Sequence, residues 1–274
     1  MSKVVKQALR ADASSGGARC AAARHAAGRV ASLHDDDITA AVHYRKALAI
    51  DSKHVDALVD LGGALDRMGR AEEAVECYRK AAAAGKDDGM VAFQKAQAFA
   101  EANQLYEAEA AFREAVKVEG PMTAAAHGYL GNLLLARGAF AQACDSYYSM
   151  LHIEPANSGA FTQLGVALTA LEELDAACVA LRRAVSLDAL NAVARIALGR
   201  ALGLTHGAPA LAAAIEHLQK AKALDHSNVD ASFFLAVSFA QKGDRAAAID
   251  EARRCILLNG ANAAKARQLL AQLR

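Results

Sequence analysis

Histidine, cysteine and acidic side chains are the residues of this sequence that could hold a metal ion or supply a nucleophile. The 274 residues include nine histidines and five cysteines. No CxxC pair occurs, and no histidine pair stands beside a cysteine cluster at the spacing of zinc ligands. The sequence also has no nucleophile elbow, no phosphate-binding glycine loop and no HExxH helix. We therefore predict no catalytic residue, no metal site, no cofactor, no small-molecule substrate and no enzymatic activity.

The acidic run Asp35-Asp36-Asp37 and the cysteines have simpler interpretations. The acidic run lies at a predicted turn between two helices, where helix capping explains it better than a cation site. The cysteines are odd in number and widely spaced, which favours reduced thiols and a cytoplasmic location. Between Met1 and His34, six basic residues accompany a single acid. We interpret this stretch as a basic tail and helix, with an organelle transit peptide as the alternative.

The composition indicates an all-helical chain. It contains 70 alanines, three prolines and 5% aromatic residues. Alanine is the best helix former, and few β-branched residues alternate as they would in a sheet. No uncharged stretch is long enough to span a bilayer, and no apolar run near the start suggests a secretory signal. The net charge of +1 argues against a general nucleic-acid binder.

A small residue recurs at steps of 34 to 37 residues along the chain. The series is Gly28, Gly62, Ala96, Gly131, Gly165, Gly199 and Ala236. A period near 34 is typical of paired helices stacked into a solenoid. Large side chains recur in register with the small ones, at Tyr44, Tyr78, Phe112, Tyr147, Leu181 and Leu218, and become Ala252 in the last repeat. We predict that the small residues lie where two helix backbones cross closely, because a larger side chain would overpack such a crossing.

The repeat resembles the tetratricopeptide repeat (TPR) family, as in VDALVDLGGALDRMGRAEEAVECYRKA from Val55 to Ala81. The resemblance implies a right-handed all-α solenoid of about seven helix pairs. We predict a basic tail over 1–20, a C-terminal capping helix over 263–274, and seven repeats between them over 21–54, 55–88, 89–123, 124–157, 158–191, 192–228 and 229–262. Acids such as Asp188 and Asp225 precede several repeats and are predicted to cap the following helix. Repeat 6 has a longer turn over 203–209.

The resemblance also implies a binding groove lined by the first helix of each repeat, at positions 2, 5, 6, 9, 12 and 13. In this sequence, these positions are charged in the N-terminal part and mostly apolar in the C-terminal part. The charged residues include His25, Asp60, Asp66 and Arg67. The residues predicted to bind a partner are Phe93, Gln97, Tyr129, Asn132, Thr162, Val166, Ile196, Arg200, Phe233, Phe234 and Val237. An apolar stripe on a groove wall is suited to a partner helix or extended segment. The predicted function is a protein-protein interaction scaffold or adaptor within a larger assembly.

Three more specific interpretations can be compared with the residues. Chaperone adaptors of the family bind a C-terminal carboxylate with Lys and Asn residues spread over consecutive repeats, and no triplet of repeats here fits that pattern. Basic ends, with net charges of +5 over 1–34 and +4 over 242–274, could instead bind acidic tails or RNA. The stretch from Leu164 to Asn191 has a local similarity to TPR subunits of the ciliary BBSome. A ciliary, axonemal or microtubule-associated role is therefore the alternative.

Overall fold

The computed structural model describes residues 17–84, 89–118, 120–205 and 207–273, and within these ranges it contains fifteen α-helices and no β-strand. The predicted all-α class is confirmed. The helices are α1 (Gly17–Ser32), α2 (Asp37–Ile50), α3 (Val55–Arg67), α4 (Ala71–Ala83), α5 (Gly89–Glu101), α6 (Leu105–Ala115), α7 (Thr123–Ala136), α8 (Phe140–Ile153), α9 (Ser158–Ala170), α10 (Leu174–Leu187), α11 (Ala192–Leu204), α12 (Ala208–Leu224), α13 (Val229–Lys242), α14 (Arg245–Leu258) and α15 (Ala263–Gln272). None of the helices described is both long and apolar enough to cross a membrane.

The chain divides after Leu133 into an N-terminal half and a C-terminal half, each compact, and α7 spans the division. In the N-terminal half, α1 packs on α2, α3 on α4 and α5 on α6. In the C-terminal half, α9 packs on α10, α11 on α12 and α13 on α14, and α15 follows on α14. Each half is thus a run of consecutive helix pairs, which is the solenoid arrangement that the repeat predicted.

The first helices of the pairs form a continuous inner row within the C-terminal half. Helix α11 contacts both α9 and α13, and α13 also contacts α15. Among the described helices of this half, α10, α12 and α14 make no comparable contacts with one another. The surface of α9, α11, α13 and α15 is called the first-helix face below.

The starts of α9, α11 and α13 are capped by asparagines. The Oδ1 atoms of Asn157, Asn191 and Asn228 accept hydrogen bonds from the third amide of the following helix, at 2.8, 2.9 and 3.0 Å. The prediction that Asp188 and Asp225 cap these helices is wrong. Their carboxylates accept from amides of the intervening turn, each at 3.0 Å, because they stand too far back to reach the helix.

Capping by the acidic run is confirmed for one of its members. The Oδ1 atom of Asp36 accepts a hydrogen bond from the Thr39 amide at 3.0 Å, at the start of α2. The hydrogen bonds to this carboxylate lower its pKa. Glu119 precedes repeat 4 as Asp188 precedes repeat 6, and we predict that it caps the next helix, but it lies outside the described residues.

The recurring small residues leave room for a large side chain of the second helix. A Cβ atom on Gly62 would lie 2.6 Å from the Tyr78 ring, and one on Gly165 would lie 2.3 Å from Leu181 Cγ. Gly28 and Gly199 face Tyr44 and Leu218 in the same way. The predicted close approach is present, but the neighbour is a side chain and not the backbone of the paired helix. These large residues are almost completely buried and form the core between the helices.

Candidate partner-binding surface

Three of the predicted partner-binding residues are buried. Phe93, Thr162 and Ile196 expose only 6%, 4% and 8% of their surface, so these three residues of the predicted groove do not meet water in the free protein. Each lies three residues before the small residue of its own helix. Residues at this spacing share a helix face, so their side chains point into the pair of helices together with the small residue.

Ile196 shows where such a side chain lies. It belongs to a core cluster with Ile215 and Leu218 of α12 and Leu235 of α13. Ile196 therefore packs α11 against both α12 and α13.

An aromatic cluster occupies the predicted site in the N-terminal half. The ring centroid of Phe93 lies 5.8 Å from that of Phe112 and 5.6 Å from that of Tyr129, in edge-to-face contacts. Phe112 and Tyr129 stack at 5.4 Å. Tyr129 is 44% exposed, and Asn132 is exposed one turn further along α7. Gln97 is half-buried.

The charged residues predicted for the N-terminal groove are occupied by contacts within the protein. Two of them, Asp60 and Arg67, line a cleft of about 210 Å³. Arg67 donates to both carboxylate oxygens of Asp37, at 2.6 and 3.0 Å, and also to the Ser32 hydroxyl. His25 Nε2 lies 2.7 Å from Asp60 Oδ2. The Arg67–Asp37 ion pair reduces the charge that this surface offers to a partner.

Asp66 stands at the end of α3 and contacts the core. It accepts a hydrogen bond from the Tyr78 hydroxyl at 3.1 Å. Burial raises the pKa of Asp66 to about 6, although the bond from Tyr78 acts in the opposite direction. This carboxylate helps to hold α4 against α3.

The C-terminal half presents an exposed and half-buried apolar surface around Arg200. The guanidinium of Arg200 lies 5.7 Å from the ring centroid of Phe234, and the Phe233 and Phe234 rings meet edge to face at 5.3 Å. Leu204, one helical turn after Arg200, is 48% exposed. Val166, Phe233, Phe234 and Val237 are half-buried. The structure thus brings Arg200 and Phe234 together at the first-helix face, as side chains that can contact a partner.

A cleft of about 670 Å³ opens where α11 ends, beside the longer turn of repeat 6. The repeat step of 37 residues marks this turn in the sequence, but nothing in the sequence pointed to Gln241, which lines the cleft from α13. His206 of this turn lies outside the described residues. The lining residues are Gly203, Leu204, Thr205, Gly207, Ala208, Leu211, Ala212, Gln241 and Lys242.

The buried cysteines are not arranged as nucleophiles. Burial raises the pKa of the Cys144, Cys178 and Cys255 thiols, whereas a reactive cysteine needs a lowered pKa. Among the described residues, no three His, Cys, Asp or Glu side chains converge as a metal site would require.

Comparison with known proteins identifies the repeat. Three tetratricopeptide repeat profiles match residues 38–98, 93–161 and 158–189. No curated protein sequence gave a match.

Several solved structures share the fold. One is the C-terminal part of a TPR repeat-containing protein from Cytophaga hutchinsonii, with a TM-score of 0.68 and 14% identity over 89% of this chain and 98% of that one. PilF of Pseudomonas aeruginosa gives a TM-score of 0.65 and 21% identity over 81% of this chain and 99% of that one. YrrB, described as a TPR protein with an unusual peptide-binding site, gives a TM-score of 0.58 and 24% identity over 72% of this chain and 97% of that one.

The recurring small residues, the consecutive helix pairs and the three matching profiles all indicate the same kind of repeat. The chain belongs to the tetratricopeptide repeat family.

Proposed function

We propose that this chain is a non-catalytic interaction scaffold that binds a segment of a partner protein on the first-helix face of its C-terminal half. The observation that carries the proposal is the exposed and half-buried apolar surface around Arg200, with Leu204 and Phe234 beside it. The peptide-binding site of YrrB, which shares the fold, supports a protein segment as the partner.

The energetics of this surface favour a short apolar segment. Burying apolar surface contributes about 25 cal/mol per Å², from which the entropy cost of association must be subtracted. The side chains stand on helices packed into a core, so little of that cost arises from ordering the receptor. We also propose that the protein is cytoplasmic and part of a larger assembly. The five free thiols are consistent with the cytoplasmic location.

Leu204→Glu is expected to weaken peptide binding at least about tenfold, because it removes apolar surface from the site and places a carboxylate four residues from Arg200, where it can pair with the guanidinium in place of the peptide. The probe is a labelled 12-residue peptide selected from a random display library against the full chain, and the measurement is fluorescence anisotropy. Arg183→Glu, an exposed substitution on α10, is the control and should bind as the wild type does.

Two results would contradict the proposed function. One is a selection that enriches no peptide. The other is a peptide that Leu204→Glu still binds while Arg183→Glu loses it, which would place binding on the second helices. Binding that weakens steeply with salt for any acidic peptide would favour the basic ends of the chain instead.

The protein is expected not to bind the acidic C-terminal peptides of cytosolic Hsp70 and Hsp90. The pattern of Lys and Asn residues that binds a C-terminal carboxylate in chaperone adaptors is missing. Asp56 and Asp60 on α3 would repel such a carboxylate. Isothermal calorimetry with each peptide should show no heat of binding. A micromolar dissociation constant would show that this expectation is wrong.

A further inference from the structure

Arg200 is a cation of the first-helix face that has no acidic partner among the described residues. Its side chain is exposed, and it makes no hydrogen bond or ion pair with any residue that the structure describes. Arg200 contacts the Phe234 ring, and its guanidinium carbon lies 5.7 Å from the ring centroid. An aromatic ring beneath a guanidinium restrains it while leaving its N–H donors free along the edges.

The surrounding helices strengthen the positive charge at this point. The sequences of α9, α11, α13 and α15 contain one acid, Asp230. Its carboxylate accepts a hydrogen bond from Asn262 Nδ2 at 2.7 Å. Arg195, the other arginine of α11, donates to the Ala189 carbonyl at 2.7 and 3.0 Å. Arg200 is therefore the arginine of α11 that is left to meet an anion.

The side chains that share the face with Arg200 are apolar, and an amide lies near the end of α11. Leu204 lies one turn along α11, and Val237 lies one turn from Phe234 on α13, so these side chains share the face. Near the end of the helix, a Cβ atom on Gly203 would lie 3.9 Å from Gln241 Oε1. An amide at this place can pair with the backbone of a bound segment.

We propose that this surface selects a protein segment that carries one aspartate or glutamate flanked by apolar residues. The carboxylate accepts hydrogen bonds from the Arg200 guanidinium, and the apolar residues cover Leu204, Phe234 and Val237. The inference rests on the proposed function and adds the chemical class of the partner to it. Charge complementarity argues for an acidic residue, since the Arg200 guanidinium has no carboxylate partner on the neighbouring helices that the structure describes.

The test compares display selections on the wild type and on Arg200→Glu, each as the full chain. Wild-type selections are expected to enrich Asp or Glu at one fixed position between apolar residues. Arg200→Glu should lose that enrichment and favour Lys or Arg there. Arg183→Glu on α10, with the same change of charge, should keep the wild-type motif.

A peptide pair then measures the contact directly. Changing the acid of the selected peptide to its amide should weaken binding to the wild type at least about tenfold, since charge-assisted bidentate pairs are strong. The same change should matter less than about twofold on Arg200→Gln. Fluorescence anisotropy reports both values.

The two proposals fail in different ways. If no peptide is enriched, the proposed function fails. If apolar peptides are enriched without a fixed acid, or if Arg200→Glu keeps the acidic motif, the role of Arg200 is overturned while the scaffold function stands. Preference for a phosphorylated peptide over its acidic counterpart would also overturn the proposal.

Discussion

Ile196→Glu is expected to destabilise the C-terminal half strongly. The wild-type side chain is 8% exposed and packs against Ile215, Leu218 and Leu235. Losing a buried isoleucine costs about 2–5 kcal/mol of the free energy of unfolding. The carboxylate adds a desolvation cost, since the core cluster offers it no hydrogen-bond donor. Urea denaturation followed by circular dichroism measures the loss as a lower midpoint.

Leu204→Glu is the matched control on the same helix. Leu204 is 48% exposed, and surface substitutions usually change stability by less than about 0.5 kcal/mol. The pair separates folding from binding, because Leu204→Glu should fold normally and yet fail to bind peptide. If Ile196→Glu melts as the wild type does, Ile196 faces water and belongs to the binding surface after all.

Gly165→Leu is expected to lower the free energy of unfolding by about 1–3 kcal/mol through overpacking. Even a Cβ atom would lie 2.3 Å from Leu181 Cγ, and Leu181 is completely buried. The Leu181 side chain or one of the two helices must therefore move. Thermal melts and urea midpoints of the full chain measure the effect.

Adjacent glycines on α3 give an internal control for this reasoning. Gly62→Ala would place a Cβ atom 2.6 Å from the Tyr78 ring, whereas the nearest atom for Gly63→Ala is at 3.6 Å. We expect Gly62→Ala to destabilise the protein and Gly63→Ala to stabilise it by about 0.5–1 kcal/mol, because alanine is the better helix former. Equal effects at both positions would show that the lack of space beside Tyr78 is not the reason why residue 62 is a glycine.

The sequence by itself determined the all-α class and the repeat of small and large residues at a fixed spacing, whereas only the structure showed that each small residue faces a large side chain. Gly62 and Tyr78, or Gly165 and Leu181, stand sixteen residues apart in the chain. Helical periodicity fixes which side chains share a face, so a repeated spacing of this kind indicates two helices that pack in the same way each time. The helix pairs of each half are what that pattern required.

Only the tertiary structure decided which residues of a predicted face meet water. Ile196 and Arg200 lie one turn apart on α11 and both belonged to the predicted groove, yet the first is buried and the second is exposed. Helical spacing gives the direction of a side chain, but its burial depends on how closely α12 and α13 approach at that level. The sequence also left open which residue caps each helix, since the carboxylate of an aspartate and the side-chain oxygen of an asparagine can both accept a hydrogen bond from a backbone amide at the start of a helix. The backbone of each turn brings the asparagine within reach of the helix amide, and leaves the preceding aspartate to the turn.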